Sequence, residues 1–519
     1  MKPWQTPGDF WGGIPLADRK SLSCEAPIRF AGIPHQLLYP LDLPSGHRAA
    51  PIVRAGDRVK SGTPMALCPD GFDPPICATS SGIVIFQEGP THLGPYTPLI
   101  GIETDGLDLK SSPLPRLEGE ALCPEQVLER LHACGILGMG GAGFPTTEKI
   151  KRLLGPLQLL IINGAECEPF LTCDERALRE KASELLRSAE LLARIFNIPR
   201  ILVALESSRT SAMASLRTAL NTGEFSLCGL FALPDRYPAG GERQLIQTVS
   251  GLRMHGGTHP VDHGMLCLNV QTVLAVGAAI EKGESLTRRI ITISGSGIQQ
   301  PSNLDVLIGT PIEFLLEACG GIRPGAQHLI LGGPMMGFSV SSTQIPVTKT
   351  TTALLVLDPS ELPAPSNAVE QPCIRCGACM DACPQGLLPQ SLHDQVRAKR
   401  MTEVESLHLL DCIECGCCDV VCPSLIPLTD RFRAGKKLLR RFLADERLAR
   451  KAQSRHQARL ARLQRDQLER EQEAEARKNA LGQGAQPQIQ EALERARLKR
   501  AQRLNAAKDS GKTDVSEPN

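Results

Sequence analysis

CIRCGACMDACP (Cys373–Pro384) and CIECGCCDVVCP (Cys412–Pro423) each place four cysteines in the order C-x2-C-x2-C-x3-C-P. Such density of thiols decides what the surrounding chain must fold around. Gly377 and Gly416 follow the second cysteine of each run, where a loop closing tightly on a bound group tolerates no side chain. Pro384 and Pro423 stop each coil from continuing. Cys417 lies outside the shared spacing and reads as a small packing residue. The chain carries 19 cysteines and shows no basic, apolar leader pattern. That combination is expected of a reducing compartment, where clustered thiols bind metal instead of pairing as disulfides.

Structural zinc prefers well-separated C-x2-C pairs, four ligands to an ion, and fits two contiguous runs poorly. The observed spacing is the one by which thiolates hold paired [4Fe–4S] cubes, with the proline-flanked fourth cysteine turning to the other cube. On that pattern Cys373, Cys376, Cys379 and Cys422 form one set. Cys412, Cys415, Cys418 and Cys383 form the other. Adjacent cubes make a one-electron wire, which needs a source and a sink.

Upstream, residues 120–275 alternate in period. PEQVLERLHACG predicts a helix, LQLLIING a buried strand, and DERALREKASELLRSAELLARIFN one long amphipathic helix. RILVALE and SRTSAMASLRTALN continue the rhythm, which implies a parallel sheet flanked by helices. GILGMGGAGFPTTEKI (135–150) sets Gly138, Gly140 and Gly143 in GxGxxG register, but after a helix, so it is a poor dinucleotide fingerprint. Gly140, Gly141, Ala142 and Gly143 suit close approach to a flat or phosphorylated ligand, with a helix opening at Thr146 and Lys149 in reach of charge. A tight packing turn would use the same residues. NGAECEPFLTCDE (163–175) ends the buried strand, so Asn163, Glu166 and Glu168 sit where open α/β sheets bind ligands. A loop closed by Asx-type bonds is the alternative.

Residues 1–115 contain GDRVKSGTPMA and ICATSSGIVIF, which resemble the halves of a biotinyl/lipoyl-type β-sandwich. The turn between them reads LCPDGFDPP and lacks the lysine of a swinging arm, so the sandwich is read as a packing element. Residues 288–340 read as a compact α+β unit around one helix near 312–319. DPSELPAPSNAVEQP (358–372) has the composition of a linker.

Taken together, GxGGAGFPT with Lys149, N-x-x-E-x-E-P, YPAGGERQL (237–245) and LNVQT (268–272) resemble the FMN-binding flavoprotein subunit of respiratory complex I. The domain series is closer still to the C-subunit family of the Rnf/Rsx ion-translocating electron-transport complex. That resemblance implies a multi-domain α/β and α+β chain. Its parts are an N-terminal β-sandwich of barrel-sandwich hybrid type (1–118), an FMN-binding α/β domain (119–285) and a β-grasp SLBB-like unit (286–345). A linker (346–367), a ferredoxin-like module for two [4Fe–4S] clusters (368–432) and a basic helical or disordered tail (433–519) follow.

The resemblance further implies that NADH reduces FMN, and that FMN feeds the clusters inside a membrane-bound translocase. By position, Gly138, Gly140, Gly141, Gly143 and Lys149 would hold FMN phosphate and ribityl groups. Glu166 and Glu168 are the candidate catalytic carboxylates, bordering the isoalloxazine with Asn163, while Asn269 and Thr272 close the site. The family's GEE segment becomes Gly240-Gly241-Glu242, which keeps Glu242. Met139 replaces the arginine after the first glycine, and SGLRMHGGTHPVDHG (250–264) offers no aromatic ring for nicotinamide or adenine. His255, His259 and His263 recur at four-residue spacing, but Gly256, Gly257 and Pro260 preclude one regular helix, so they are read as loop histidines. A corrin reductase of the propanediol-utilisation type resembles the same series, and a flavin-free relay and docking subunit is a third reading.

The formal charge of +1 hides a split. From Arg431 onward 23 Lys/Arg face 12 Asp/Glu, leaving the remaining body acidic at −10. A basic, nearly aromatic-free tail lacks the stacking residues of nucleic-acid modules; no nucleic-acid partner is expected. Its final thirty or so residues are expected to stay disordered. Apolar runs are too short to span a bilayer, so membrane contact is expected to be peripheral, at the cytoplasmic face of a bacterial inner membrane, alongside integral and peripheral Rnf/Rsx subunits.

Overall fold

The computed structural model describes residues 9–91, 94–117, 122–152, 155–254, 256–326, 328–358, 361 and 369–509. It divides into two compact units, residues 1–437 and 438–519. His255 lies outside the described residues.

In the first unit, strands β1 (Arg29–Phe30), β2 (Gln36–Pro40), β3 (Ala50–Pro51), β4 (Arg58–Val59), β5 (Pro64–Leu67), β6 (Ile76–Cys77), β7 (Gly82–Thr91) and β8 (Gly94–Thr104) come first. Two sheets result, β2-β8-β7-β4 and β3-β5-β6. They close on Leu37, Met65, Val84, Ile100 and Ile102, all fully buried. β1 departs from the expected sandwich: it pairs in parallel with a strand nearly three hundred residues later, Arg29 opposite Leu304.

Helices α1 (Pro124–Ala133) and α2 (Thr146–Lys151) flank the glycine loop and lead into β9 (Leu159–Asn163). α3 (Cys173–Glu180), α4 (Ala182–Ile195), β10 (Ile201–Glu206), α5 (Thr210–Leu220), β11 (Cys228–Leu233), α6 (Glu242–Ser250), β12 (Met265–Asn269) and α7 (Val270–Lys282) complete an α/β layer. Its four strands are parallel in the order β11-β10-β9-β12. Leu159, Leu160, Ile161 and Ile162 are buried on both faces, as a covered parallel sheet requires. The single long helix expected over 174–197 is two. Lys181 leaves helical geometry at φ −123°, ψ 26°, so α3 buries Cys173–Leu178 while α4 turns Leu185, Leu186 and Ala189 inward.

Strands β13 (Arg288–Ser294) and β14 (Ser302–Leu307), helix α8 (Ile312–Ala318), and strands β15 (His328–Leu331), β16 (Phe338–Val340) and β17 (Ala353–Leu357) form the next layer. Its sheet runs β1-β14-β13-β17-β15-β16. The stretch 346–367, expected as a linker, therefore contains a strand. β17 is wholly buried and lies between β13 and β15, because ALLVL is a continuous apolar run that a linker could not leave in water.

α9 (Ala378–Asp381), α10 (Pro389–Arg397), α11 (Met401–Ser406) and α12 (Cys417–Val420) carry the cysteine runs, and α13 (Leu428–Asp509) follows them. The second unit is helical to Asp509, and its described side chains are nearly all exposed. Disorder was expected across the last thirty or so residues; as far as Asp509 helix persists instead, through Ala-, Arg- and Glu-rich sequence of high propensity, with pairs such as Arg495–Glu491 at 3.3 Å, while 510–519 lie outside the described residues. Among the described residues no helix is long and apolar enough to cross a membrane.

Candidate functional site

The two cysteine runs fold as near copies down to their backbone strain. Arg375 and Glu414 (φ 56° and 57°), Gly377 and Gly416 (83° and 77°), and Gly386 and Leu425 (66° and 52°) occupy left-handed conformations at matching positions. Alternation of this kind turns successive N–H groups inward and makes the concavities that receive anions and iron–sulfur groups. Glu414 N–H donates to Cys412 Sγ and Leu387 N–H to Cys383 Sγ, both at 3.4 Å.

Two hollows follow. One is lined by Cys373, Cys376, Cys379 and Cys422. The other is lined by Cys383, Cys412, Cys415 and Cys418, with Cys417 at its edge. Each proline-flanked fourth cysteine thus lines the hollow of the opposite run. No three of these thiols come within 4.8 Å of one another among the described residues. That spread is too wide for one tetrahedral ion and fits a larger group held at its corners. Cys417 is fully buried among Ile14, Tyr237, Ala382 and Cys415, a packing position.

The hollows differ in exposure. Cys373 and Cys376 are exposed, whereas Cys415 and Cys418 are buried, Cys415 in a cluster with Ile14 and Tyr237. Tyr237 donates its hydroxyl to the Cys415 carbonyl at 2.7 Å. Arg243 reaches Gln385 at 3.0 Å and Arg253 the Gln385 carbonyl at 3.1 Å. Gly13 N–H donates to the Ala382 carbonyl at 3.0 Å. A Cβ at Gly416 would come 3.1 Å from the Met335 carbonyl, so the buried run also touches the strand layer.

At the carboxyl edge of the parallel sheet, β9 and β12 end side by side, Asn163 opposite Asn269, before leading into α3 and α7. Open α/β sheets bind ligands outside the carboxyl ends of their strands. The glycine loop lies here. Gly138 N–H donates to the Phe144 carbonyl at 2.9 Å, Met139 N–H to Thr272 Oγ1 at 2.9 Å, and Gly140 packs on Asn269. Gly140, Gly141 and Ala142 are exposed. Gly141 has φ 102° and a Cβ there would meet nothing within 4 Å, whereas one at Gly143 would strike Thr350 at 2.7 Å. The two glycines therefore serve different ends, an open face and a tight turn.

Lys149 Nζ donates to Glu242 Oε1 at 2.6 Å and to the Cys267 carbonyl at 2.8 Å. Asn163 Nδ2 donates to the Gly240 carbonyl at 2.8 Å. Asn269 caps α7 through Gln271 N–H at 2.9 Å and donates to Asp174 at 2.5 Å. Gly138, Gly140, Lys149, Asn163, Glu242, Asn269 and Thr272 are thus gathered at one edge, while Gly141 and Gly143 share the loop without contacting it. The hydroxyls of Thr146 and Thr147, buried at the start of α2, have no hydrogen-bond partner. Unmatched donors beside an exposed glycine strip fit the phosphate end of a flavin nucleotide.

Glu166 and Glu168 are committed elsewhere. Glu166 accepts the N–H groups of Asp174 (3.1 Å) and Glu175 (3.2 Å) and so caps α3. Burial pushes its carboxyl up to about 7. Glu168 accepts Met335 N–H at 2.8 Å, tying the α/β layer to the strand layer, and burial raises it as well. His259 contacts Arg152 at 3.0 Å and caps a short turn with Asp262; it belongs to no cluster of metal donors among the described residues.

Sequence reasoning took Thr146 only as the opening of a helix and missed its hydroxyl, together with Thr147, Asp174 and Arg289. Arg289 is buried on β13 and donates to the Met139 carbonyl at 3.2 Å, where the complex I loop would supply its own arginine. Burial lowers this guanidinium to about 10. Only the pair Thr146-Thr147, directly after GGAGFP, carried a local signal.

Comparison with known proteins matches four family models in chain order. The RnfC barrel sandwich hybrid domain covers residues 8–106, the Nuo51 FMN-binding domain 131–278, the SLBB domain 290–339 and the 4Fe-4S dicluster domain 372–426. The chain is 37% identical over 498 residues to the C subunit of the ion-translocating oxidoreductase complex of Edwardsiella ictaluri, covering 95% of this chain and 62% of that one. It is 37% identical over 497 residues to the protein of the same name from Pectobacterium carotovorum, with coverage of 95% and 66%. The corresponding Serratia proteamaculans protein is 35% identical over 514 residues, with coverage of 98% and 72%. The chain therefore spans about two thirds of the length of these relatives. A looser likeness, with TM-score 0.44 and 18% identity over 62% of this chain and 63% of the other, is to an NAD+-reducing [NiFe]-hydrogenase in the H2-reduced state.

Proposed function

This chain belongs to the C-subunit family of the ion-translocating oxidoreductase complex, and from that premise we propose that it is a peripheral electron-transfer subunit of a membrane-bound, ion-translocating assembly. Its cofactors are FMN and two [4Fe–4S] clusters, and its electron partner is NAD(H). The observation that carries this reading is the joining of a thiol-lined hollow to the flavin-type α/β layer through Tyr237 and Cys415. When bound, FMN exchanges an electron pair with a hydride donor and single electrons with the clusters, the conversion that these two kinds of partner require.

Gly140 and Gly141 let the backbone approach the flavin nucleotide. Thr146 and Thr147 donate to its phosphate, and Lys149 supplies the positive charge, held in place by Glu242. Asn163 and Asn269 fix the sheet edge on either side, and Thr272 clamps the loop through Met139. Glu166 and Glu168 act as positioning residues, because each pins one end of the loop that follows β9. Cys383, Cys412, Cys415 and Cys418 hold an inner cluster facing this layer. Cys373, Cys376, Cys379 and Cys422 hold an outer one, whose exposed thiols suit electron exchange with a partner protein. The basic tail favours the anionic surface of the cytoplasmic leaflet.

The test is anaerobic reconstitution of the full chain with FMN, iron and sulfide, followed by NADH. Bleaching of both flavin and cluster absorbance is expected, with about eight iron atoms per chain. A protein that holds its iron but never retains FMN would be the flavin-free relay instead. Copurification with integral membrane subunits tests the assembly.

A further inference from the structure

The turn LCPDGFDPP (67–75) lacks the lysine of a carrier domain, and the redox reading gives it no task. In the structure this turn meets a second one, between β2 and β3, that carries His47. His47 Nε2 lies 3.4 Å from Asp70 Oδ2, and Cys68 Sγ lies 2.9 Å from Asp70 Oδ1. One donor atom from each of His47, Cys68 and Asp70 falls within 4.8 Å of the others, and no other such trio exists among the described residues. Ligand atoms around a tetrahedral ion with bonds of about 2.0–2.3 Å stand roughly 3.3–3.8 Å apart, so the His47–Asp70 pair at 3.4 Å already matches and the Cys68–Asp70 pair at 2.9 Å opens slightly on binding.

The other ring nitrogen completes the pattern. His47 Nδ1 is 3.0 Å from Asp73 Oδ2, which also accepts the Ser45 hydroxyl at 2.5 Å. Asp73 is almost wholly buried. A carboxylate that orients a histidine from behind, leaving the far nitrogen free, is the usual support for a metal-binding imidazole. Both turns are fixed by their own bonds: Gly71 N–H to the Cys68 carbonyl at 3.0 Å, Phe72 N–H to Asp70 at 3.0 Å, and Leu43 N–H to the His47 carbonyl at 2.9 Å. An imidazole bridging two carboxylates would explain His47 alone. It would not explain a thiol, a weak donor, brought this near a carboxylate.

We propose that His47 Nε2, Cys68 Sγ and the Asp70 carboxylate bind one zinc-class divalent cation, with Asp73 orienting the imidazole. The mixed sulfur, nitrogen and oxygen set selects zinc over magnesium or calcium. Cys68 is buried and Asp70 exposed, so the fourth position opens to solvent and takes water. On binding, the Cys68 thiol releases its proton to solvent and ligates as thiolate. Phe72 sits edge-on to His47 at 5.3 Å and to Phe144 of the glycine loop at 6.0 Å, so the ion braces the sandwich turn against that loop. The proposal stands whether or not flavin binds.

The test uses the full chain, reconstituted with iron and sulfide, mixed with one equivalent of zinc chloride and desalted. Metal analysis should find one zinc beside about eight iron atoms, and zinc X-ray absorption should show one sulfur at about 2.3 Å with nitrogen and oxygen neighbours. Cys68→Ala should remove the zinc and leave the iron. Asp70→Asn, which keeps the side-chain oxygen that accepts Phe72 N–H and removes the charge, should weaken zinc binding at least about tenfold. Failure to retain zinc, a four-sulfur shell, or zinc binding unchanged in Asp70→Asn would each overturn the proposal.

Discussion

The hydroxyl of Tyr237 donates to the carbonyl of Cys415 at 2.7 Å, across the boundary between the parallel-sheet layer and the cysteine module. Tyr237 is almost fully buried, and its ring packs with Ile14, Ala382 and Cys417. Removing the hydroxyl leaves a buried carbonyl without this partner, which costs about 1–3 kcal/mol. Tyr237→Phe should therefore retain its full iron content yet shift the midpoint potential of one cluster, since hydrogen bonding near the ligands tunes potential. Potentiometric titration followed by electron paramagnetic resonance reads this directly. Potentials unchanged at both clusters would separate Tyr237 from the redox path.

The crossing of the fourth cysteines gives a paired prediction. Cys383 lines the hollow formed by Cys412, Cys415 and Cys418, and Cys422 lines that of Cys373, Cys376 and Cys379. Either substitution to alanine should halve the iron, from about eight to about four atoms. The survivor should differ. Cys383→Ala keeps the exposed cluster, open to a water-soluble chelator, and Cys422→Ala keeps the buried one, which resists it. The opposite pattern of chelator sensitivity would mean that each run binds its own cube.

Gly140 and Gly143 separate ligand approach from packing. Gly140 is exposed, and a methyl group there would sit 3.3 Å from Asn269 Cβ, a contact that a small shift relieves. Gly143 has φ 65° and would drive its methyl to 2.7 Å from Thr350. Gly140→Ala should lower FMN affinity by at least about tenfold, 1.4 kcal/mol, with an unchanged melting temperature. Gly143→Ala should lower the melting temperature itself, because a left-handed alanine costs about 1–2 kcal/mol before any clash. Fluorescence titration with FMN and thermal melts on both variants decide the matter.

What the residues revealed in advance was whatever is local. The thiol spacing, the LLII strand and the glycine-rich turn each depend on neighbours within a dozen positions, so periodicity and residue type exposed them. Pairings over long separations were hidden. Arg29–Phe30 is too short to register as a strand until β14 offers its edge, and Ala353–Leu357 is apolar enough to be a strand yet gives no hint of insertion between β13 and β15. The direction of Glu166 was equally hidden. A carboxylate after a parallel strand suggests ligand contact, but the loop folds back so that its acceptors meet the start of α3.

That fold-back has a consequence for pH. Burial lifts the Glu166 carboxyl to about 7, above the ordinary value near 4.3, with Asp174 adding repulsion and Lys20 opposing it. A raised acid binds its proton more tightly when folded, so the folded protein holds a proton that the unfolded chain has released between roughly pH 4.5 and pH 7. Stability from this group is greatest below that window and is lost as pH rises through it. Glu166→Gln forfeits one acceptor, costing about 1 kcal/mol at every pH, but carries no charge to desolvate. Its melting temperature should therefore fall less than that of the unmodified chain between pH 5 and pH 8, and the gap between the two should narrow or reverse at the alkaline end. Asp174 and Glu206, also raised by burial, preserve part of the slope in the variant. Parallel curves across the whole range would mean that Glu166 is already ionised at pH 5 and that its role is to cap α3 as a permanent anion.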